Sequence, residues 1–231
     1  MWTFAILFLS VFLSGLSVLF ITINEKRLKL ILSFSGAYLF AISAIHLLPE
    51  VYANKGVNIG VFVLIGFFIQ ILLEFLTEGI EHGHVHYHIH KTFPYTMFVG
   101  LCIHSFLEGM PLADNHSHVA ETLLAGLVLH KIPVAIALTT LLLQANYNKG
   151  ISLFILGVFA LITPIGKFVG HMLDNNMLSN FADLTGFIMA LVVGMFLHIS
   201  TTILFESSDN HRFNMVKFVL IVFGAGIAII L

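Results

Sequence analysis

Eight stretches of roughly 20 mostly apolar residues follow one another with only short connections: 2–23, 30–52, 57–77, 93–112, 119–143, 150–170, 182–204 and 213–231. A helix needs about 20 such residues to cross the hydrocarbon core of a bilayer. Inside that core every backbone polar group must be satisfied within the protein, and a helix does this for itself. The expected fold class is therefore an all-α integral membrane protein of eight transmembrane helices, with 1–231 forming a single transmembrane domain. Charge content agrees. Only 10% of the 231 residues are charged and 58% are hydrophobic, against about 25% charged in soluble domains. A fold of this size in water has no interior large enough for so much apolar side chain.

The same numbers exclude other classes. A net charge of −2 gives no basic footprint for nucleic acid. One cysteine, Cys102, rules out an internal disulfide and any multi-cysteine zinc site; it reads as a small buried residue. The start, Met-Trp-Thr-Phe, lacks a basic region ahead of its apolar run, so a retained span is expected there and not a cleaved signal peptide.

Lysine and arginine orient the spans, because they collect in cytoplasmic connections. The odd-numbered connections hold Lys26, Arg27, Lys29, Lys91, Lys149, Arg212 and Lys217; the even ones hold Lys55 and, near a helix end, Lys167. The odd connections are expected in the cytoplasm, with both termini outside. The plasma (cell inner) membrane is the expected location. On this reading the histidine run His82-Gly-His84-Val-His86-Tyr-His88-Ile-His90, within the connection 82–91, is cytoplasmic; short tracts of this kind bind transition metals loosely. His116 and His118 in an outer connection repeat the theme with less support.

Ionisable residues inside the apolar runs carry the chemistry. They are expensive there and face partners or a wet cavity. His104 and Glu108, four apart, share one helix face, and His130 lies in the next span. Imidazole with carboxylate suits a divalent transition metal such as zinc or iron. Lys131 sits too centrally in its span for easy snorkelling. It needs a partner, and Glu108 without metal is one. His46 and Glu50 repeat the His-x3-Glu spacing near the expected outer end of the second span. Pro49, Pro111 and Pro133 each fall within three residues of an intramembrane His or Glu, a clustering like that of the broken helices near a transporter's midplane site. Glu74, Glu78 and Glu81 extrapolate as a solvated rim on one helix face. His198 and Glu206, eight apart, also share a face and suggest a way out for an ion.

These residues resemble the Zrt/Irt-like (ZIP) family of zinc and iron permeases over nearly the whole length. His46-Leu-Leu-Pro49-Glu50 looks like the family's second-helix motif and His104-Ser105-x-x-Glu108-Gly109 like its fourth-helix signature. His130-Lys131 with Ala135 and Leu138 is similar to the fifth helix of one animal-type subgroup. The resemblance implies two inverted three-helix repeats around the fourth and fifth helices. It also implies that His104 and Glu108 bind the transported ion, with His130 completing the site. Ser105 stands where many members have Asn, a weaker ligand here. Lys131 and Val134 stand where others carry ligands for a second metal, so a single-ion site is implied, with the Lys131 ammonium replacing the second cation. His198 replaces a common Tyr.

The expected function is uptake of a divalent metal cation, zinc foremost, toward the cytoplasm by alternating access. His46 and Glu50 collect the ion and His104, Glu108 and His130, with Ser105, hold it. Ligands must be deprotonated to bind, so transport should weaken as pH falls through the imidazole range near about 6.5. No resident cofactor is expected, the metal being cargo; the lipid bilayer is the other partner, and a homodimer is kept open. Two rivals stand beside this. One is an intramembrane zinc hydrolase, against which no His-Glu-x-x-His occurs. The other is a metal-sensing membrane protein without flux.

Overall fold

The computed structural model describes residues 2–21, 23–53, 58–82, 94–113, 118–174, 184–206 and 214–230. All regular structure among them is helical: α1 (Trp2–Ser17), α2 (Glu25–Ile42), α3 (Leu48–Ala53), α4 (Ile59–Thr77), α5 (Tyr95–Gly109), α6 (His118–Gln144), α7 (Lys149–Asp174), α8 (Leu184–Glu206) and α9 (Met215–Ile230). The helices α2 and α3 form one long rod joined by a π-helical turn at Ser43–Leu47. Among the described residues six helices are long and apolar enough to cross a membrane, that rod included; Trp2–Ser17 and Met215–Ile230 are shorter apolar helices.

Three helix starts share one device. Asn24 Oδ1 accepts from Arg27 N (2.9 Å), Asn148 Oδ1 from Ile151 N (2.8 Å) and Asn214 Oδ1 from Lys217 N (3.2 Å). Each asparagine satisfies one of the donors a helix leaves open at its first turn. All three belong to the lysine- and arginine-bearing connections that sequence assigns to the cytoplasm. Along the helices, Ser10, Ser14, Ser17, Ser33, Ser35, Ser43, Ser200 and Thr201 donate their hydroxyls to carbonyls three or four residues back. Such bonds let hydroxyls sit in apolar surroundings without a partner from another helix.

Small residues set the helix spacing. A Cβ on Gly66 of α4 would stand 1.9 Å from the carbonyl oxygen of Leu191 on α8, and one on Gly194 of α8 would stand 1.9 Å from that of Val63 on α4. The two backbones therefore touch, the close approach that glycine permits between membrane helices. The same holds between α5 and α7, where a Cβ on Gly109 would meet Thr163 O at 2.2 Å and one on Gly166 would meet Phe106 O at 2.1 Å. Beyond these seams α1 packs on α6 and α7, and α2 on α9, α8 and α6. Large apolar side chains such as Leu72, Phe75, Phe154 and Val222 point away from the bundle, as a lipid-facing surface requires.

Prolines act unequally. Before Pro49 the rod widens into the π turn, and Leu48 N–H reaches back to Ser43 O. At Pro111 the helix tightens into a 3-10 turn, Met110–Ala113; the Leu107 carbonyl that proline would leave without a donor is taken by Met110 N–H. Pro133, by contrast, lies inside α6, which continues through it. Broken geometry thus accompanies two of the three prolines, and the expectation of a break near His130 is not met.

Candidate metal site

Gly100 opens the way to the site. A Cβ there would lie 2.9 Å from Thr77 Cγ2, so α5 closes on α4, and His104, one turn further along the same face, reaches between the helices. His104, Glu108 and His130 are all fully buried, and one donor atom from each lies within 4.8 Å of the others. His104 Nε2 stands 3.1 Å from Glu108 Oε1, and the rings of His104 and His130 meet edge to face with centroids 6.0 Å apart. Ligands of a tetrahedral zinc, with bonds of about 2.0–2.1 Å, stand about 3.3 Å apart. The first pair already has nearly that spacing, and His130 brings a third donor atom within 4.8 Å of both.

Lys131 of α6 completes the charge. Its ammonium pairs with Glu108 Oε2 and donates to Ser105 Oγ at 2.8 Å, and it faces the Phe159 ring of α7 at 5.9 Å. Both members of the Lys131–Glu108 pair are buried. Ser105 thus accepts from the lysine.

Two residues that sequence reasoning missed continue the network. Gln70 of α4 places Oε1 3.1 Å from His104 Nδ1, and its Nε2 donates to Glu81 Oε2 at 2.8 Å. Gln70 and Glu81 are both fully buried. Extrapolating the helix past residue 77 put Glu81 on a solvated rim beside Glu74 and Glu78. The chain instead reverses there, with Glu78 (φ 53°) and Gly79 (φ 71°) both left-handed, and the 3-10 turn Ile80–His82 tucks Glu81 inward. Gly79 was the available signal, since glycine commonly closes a helix in this conformation. Gln70 carried none beyond being polar on an otherwise apolar helix.

The remaining candidates lie apart from this cluster. His46, in the π turn, is half-buried and its Nε2 donates to Ala228 O of α9 at 3.0 Å; Glu50 is exposed. His198 Nδ1 lies 3.4 Å from Glu74 Oε2 and its ring meets Phe67 edge on. This pair lines a cavity of about 720 Å³ with Ile71, Phe75, Glu78, Gly79 and Thr202. Lys167 is buried within α7 and donates to Leu112 O at 2.7 Å, and Cys102 is half-buried. His84, His86, His88, His90, Lys91, Lys55, His116 and Arg212, and the side chains of His82, His118 and Glu206, lie outside the described residues.

The profile of one protein family, described as ZIP Zinc transporter, matches residues 80–231. The matched stretch contains Glu81, His104, Ser105, Glu108, His130, Lys131 and His198, whereas His46, Glu50 and Gln70 precede it. No curated protein matches the chain.

Proposed function

The chain belongs to the ZIP zinc transporter family, and from that premise we propose that it carries Zn2+ toward the cytoplasm through the cluster of His104, Glu108 and His130. Members of the family are transporters of divalent metal ions and not enzymes, and this chain is an integral membrane protein. The observation that carries the site assignment is the burial of two imidazoles and a carboxylate within 4.8 Å of one another, amid apolar helices where such groups are otherwise costly.

Binding begins as an exchange of cations. The arriving ion takes Glu108 from Lys131, whose ammonium stays held by Ser105 Oγ, its neighbour in the empty site. A bare buried carboxylate, which costs several kcal/mol, never forms. The Lys131 ammonium takes the part that the resemblance gives a second cation, so one ion is bound per site in this reading. His46 and Glu50 gather the ion at the outer end, and Glu74 with His198 receives it toward the cytoplasm.

All eight apolar helices cross the membrane in this reading, α1 and α9 included, with both termini outside and the plasma (cell inner) membrane as location. The packing supports inverted repeats: α1 on α6 matches α7 on α5, and α2 on α9 matches α8 on α4, when the first three spans are exchanged with the last three. Such repeats let one half rock against the other around a fixed site.

The decisive experiment is radioactive zinc uptake into proteoliposomes by the native chain and by His104→Ala. Uptake abolished in the variant is the expected result. Binding without uptake by the native chain removes the transport claim, and equal uptake by both chains moves the site elsewhere.

A further inference from the structure

We propose that Gln70 and Glu81 are positioning residues for His104, holding its imidazole as the Nδ1–H tautomer so that the Nε2 lone pair faces the ion. The inference rests on His104 being an ion ligand. Its logic runs inward from Glu81. The Glu81 Oε2 atom accepts, so the Gln70 arm 2.8 Å from it is the NH2. The other arm is then the carbonyl oxygen, which can only accept. The His104 nitrogen facing it at 3.1 Å, Nδ1, must therefore donate. An imidazole that binds metal is neutral and has one N–H, so in that form Nε2 carries the lone pair. Nε2 is the ring nitrogen that faces Glu108, 3.1 Å from its Oε1, on the side where the ion would bind.

The choice of a carboxylate at 81 is part of the argument. Glu81 is fully buried, and among the described residues its hydrogen bond goes to Gln70 alone, with Oε1 unpartnered. A hydroxyl or amide at 81 both donates and accepts, and so lets the Gln70 amide turn over. The Glu81 carboxyl accepts from the Gln70 amide through Oε2, and so holds the amide one way round. Partners of this kind behind a metal-binding histidine set its tautomer and orientation. The fold supplies the means: Gly66 seats the inward stripe of α4 that carries Gln70, and the reversal at Glu78 and Gly79 brings Glu81 beneath it.

The test uses the purified full-length chain in detergent, with zinc as the probe. Zinc affinity is read by calorimetry and the imidazole tautomers by 15N NMR, with the His104 signals assigned by their loss in His104→Ala. Glu81→Ala should raise the zinc Kd about 10- to 100-fold and shift the His104 signals away from the Nδ1–H pattern. The reversed pair Gln70→Glu/Glu81→Gln should restore both, because Glu at 70 accepts from Gln at 81 and from His104 alike. Native Kd and tautomer in Glu81→Ala overturn the inference. So does a folded reversed pair with weak binding and the wrong tautomer, and that variant decides the matter alone where Glu81→Ala fails to fold. Binding without uptake by the native chain defeats only the transport reading. A zinc Kd unaltered by His104→Ala removes the ligand assignment on which this inference stands.

Discussion

The carboxylate of Glu108 on α5 and the ammonium of Lys131 on α6 form an ion pair that neither helix exposes to solvent. Removing one partner of a buried pair typically destabilises by about 3–5 kcal/mol, because the other charge is left uncompensated. Lys131→Met should therefore lower the thermal midpoint of the metal-free protein markedly. Zinc should recover more stability in this variant than in the native chain, where binding must first break the pair. Thermal unfolding in detergent with and without zinc checks both; an equal zinc shift in the two proteins would mean that Lys131 and the ion do not compete.

Removing the proposed ligands should act on affinity directly. Glu108→Gln keeps the shape but not the charge, and should leave Lys131 the sole charge in the pocket. Zinc affinity is expected to fall by at least about 100-fold, more than the 10- to 100-fold typical of outer partners. Titration calorimetry reads it, and a loss below tenfold would place the ion elsewhere.

His46 and Glu50 are proposed to serve a separate step. Alanine at both positions should raise the zinc concentration for half-maximal uptake while leaving the maximal rate and the calorimetric affinity of the central cluster nearly unchanged. A collapse of the maximal rate would instead give His46 a structural duty through its bond to Ala228 O.

Backbone contact between α4 and α8 makes a different kind of prediction. Gly66→Ala forces a methyl toward Leu191 O, and overpacking of this kind costs about 1–3 kcal/mol. Gly226→Ala meets nothing within 4 Å and should be neutral or slightly stabilising, since alanine is the better helix former. The two melting curves side by side separate helix propensity from helix approach.

Orientation is open to chemistry as well. Single cysteines replacing Lys26, Tyr87 and Lys149, in a Cys102→Ala background, should react with an impermeant thiol reagent only from the cytoplasmic side. Labelling of any one from outside would reverse the assignment made from lysine and arginine.

Much of this arrangement was legible in the sequence. The proposed ligands His104, Glu108 and His130 stood out because a charged or ionisable group in an apolar run has to be explained, and the i, i+4 rule put two of them on one face. Among the described residues six of the apolar runs are helices long enough to span, because hydropathy is the dominant force on such a chain, while Trp2–Ser17 and Met215–Ile230 are shorter than expected. What escaped is instructive. Glu81 was misplaced because a helical period was carried past Thr77, across a glycine that reverses the backbone. Gln70 gave no sign because an uncharged amide on a lipid-facing helix looks incidental until its partners are known. The turn at Pro111 was foreseeable from proline's missing donor, whereas the continuity of α6 through Pro133 depends on packing that no local pattern records.

The reversal at Glu78 and Gly79 bears on how the histidine run should be dissected. Residues 78–82 look like the beginning of a dispensable connection, yet they carry the carboxylate that anchors Gln70. A deletion beginning at residue 83 tests the histidines; one beginning at residue 78 also unhooks the amide behind His104. Two truncations that differ by a few residues would then disagree on whether the tract matters, and only the shorter would be testing the histidines by themselves.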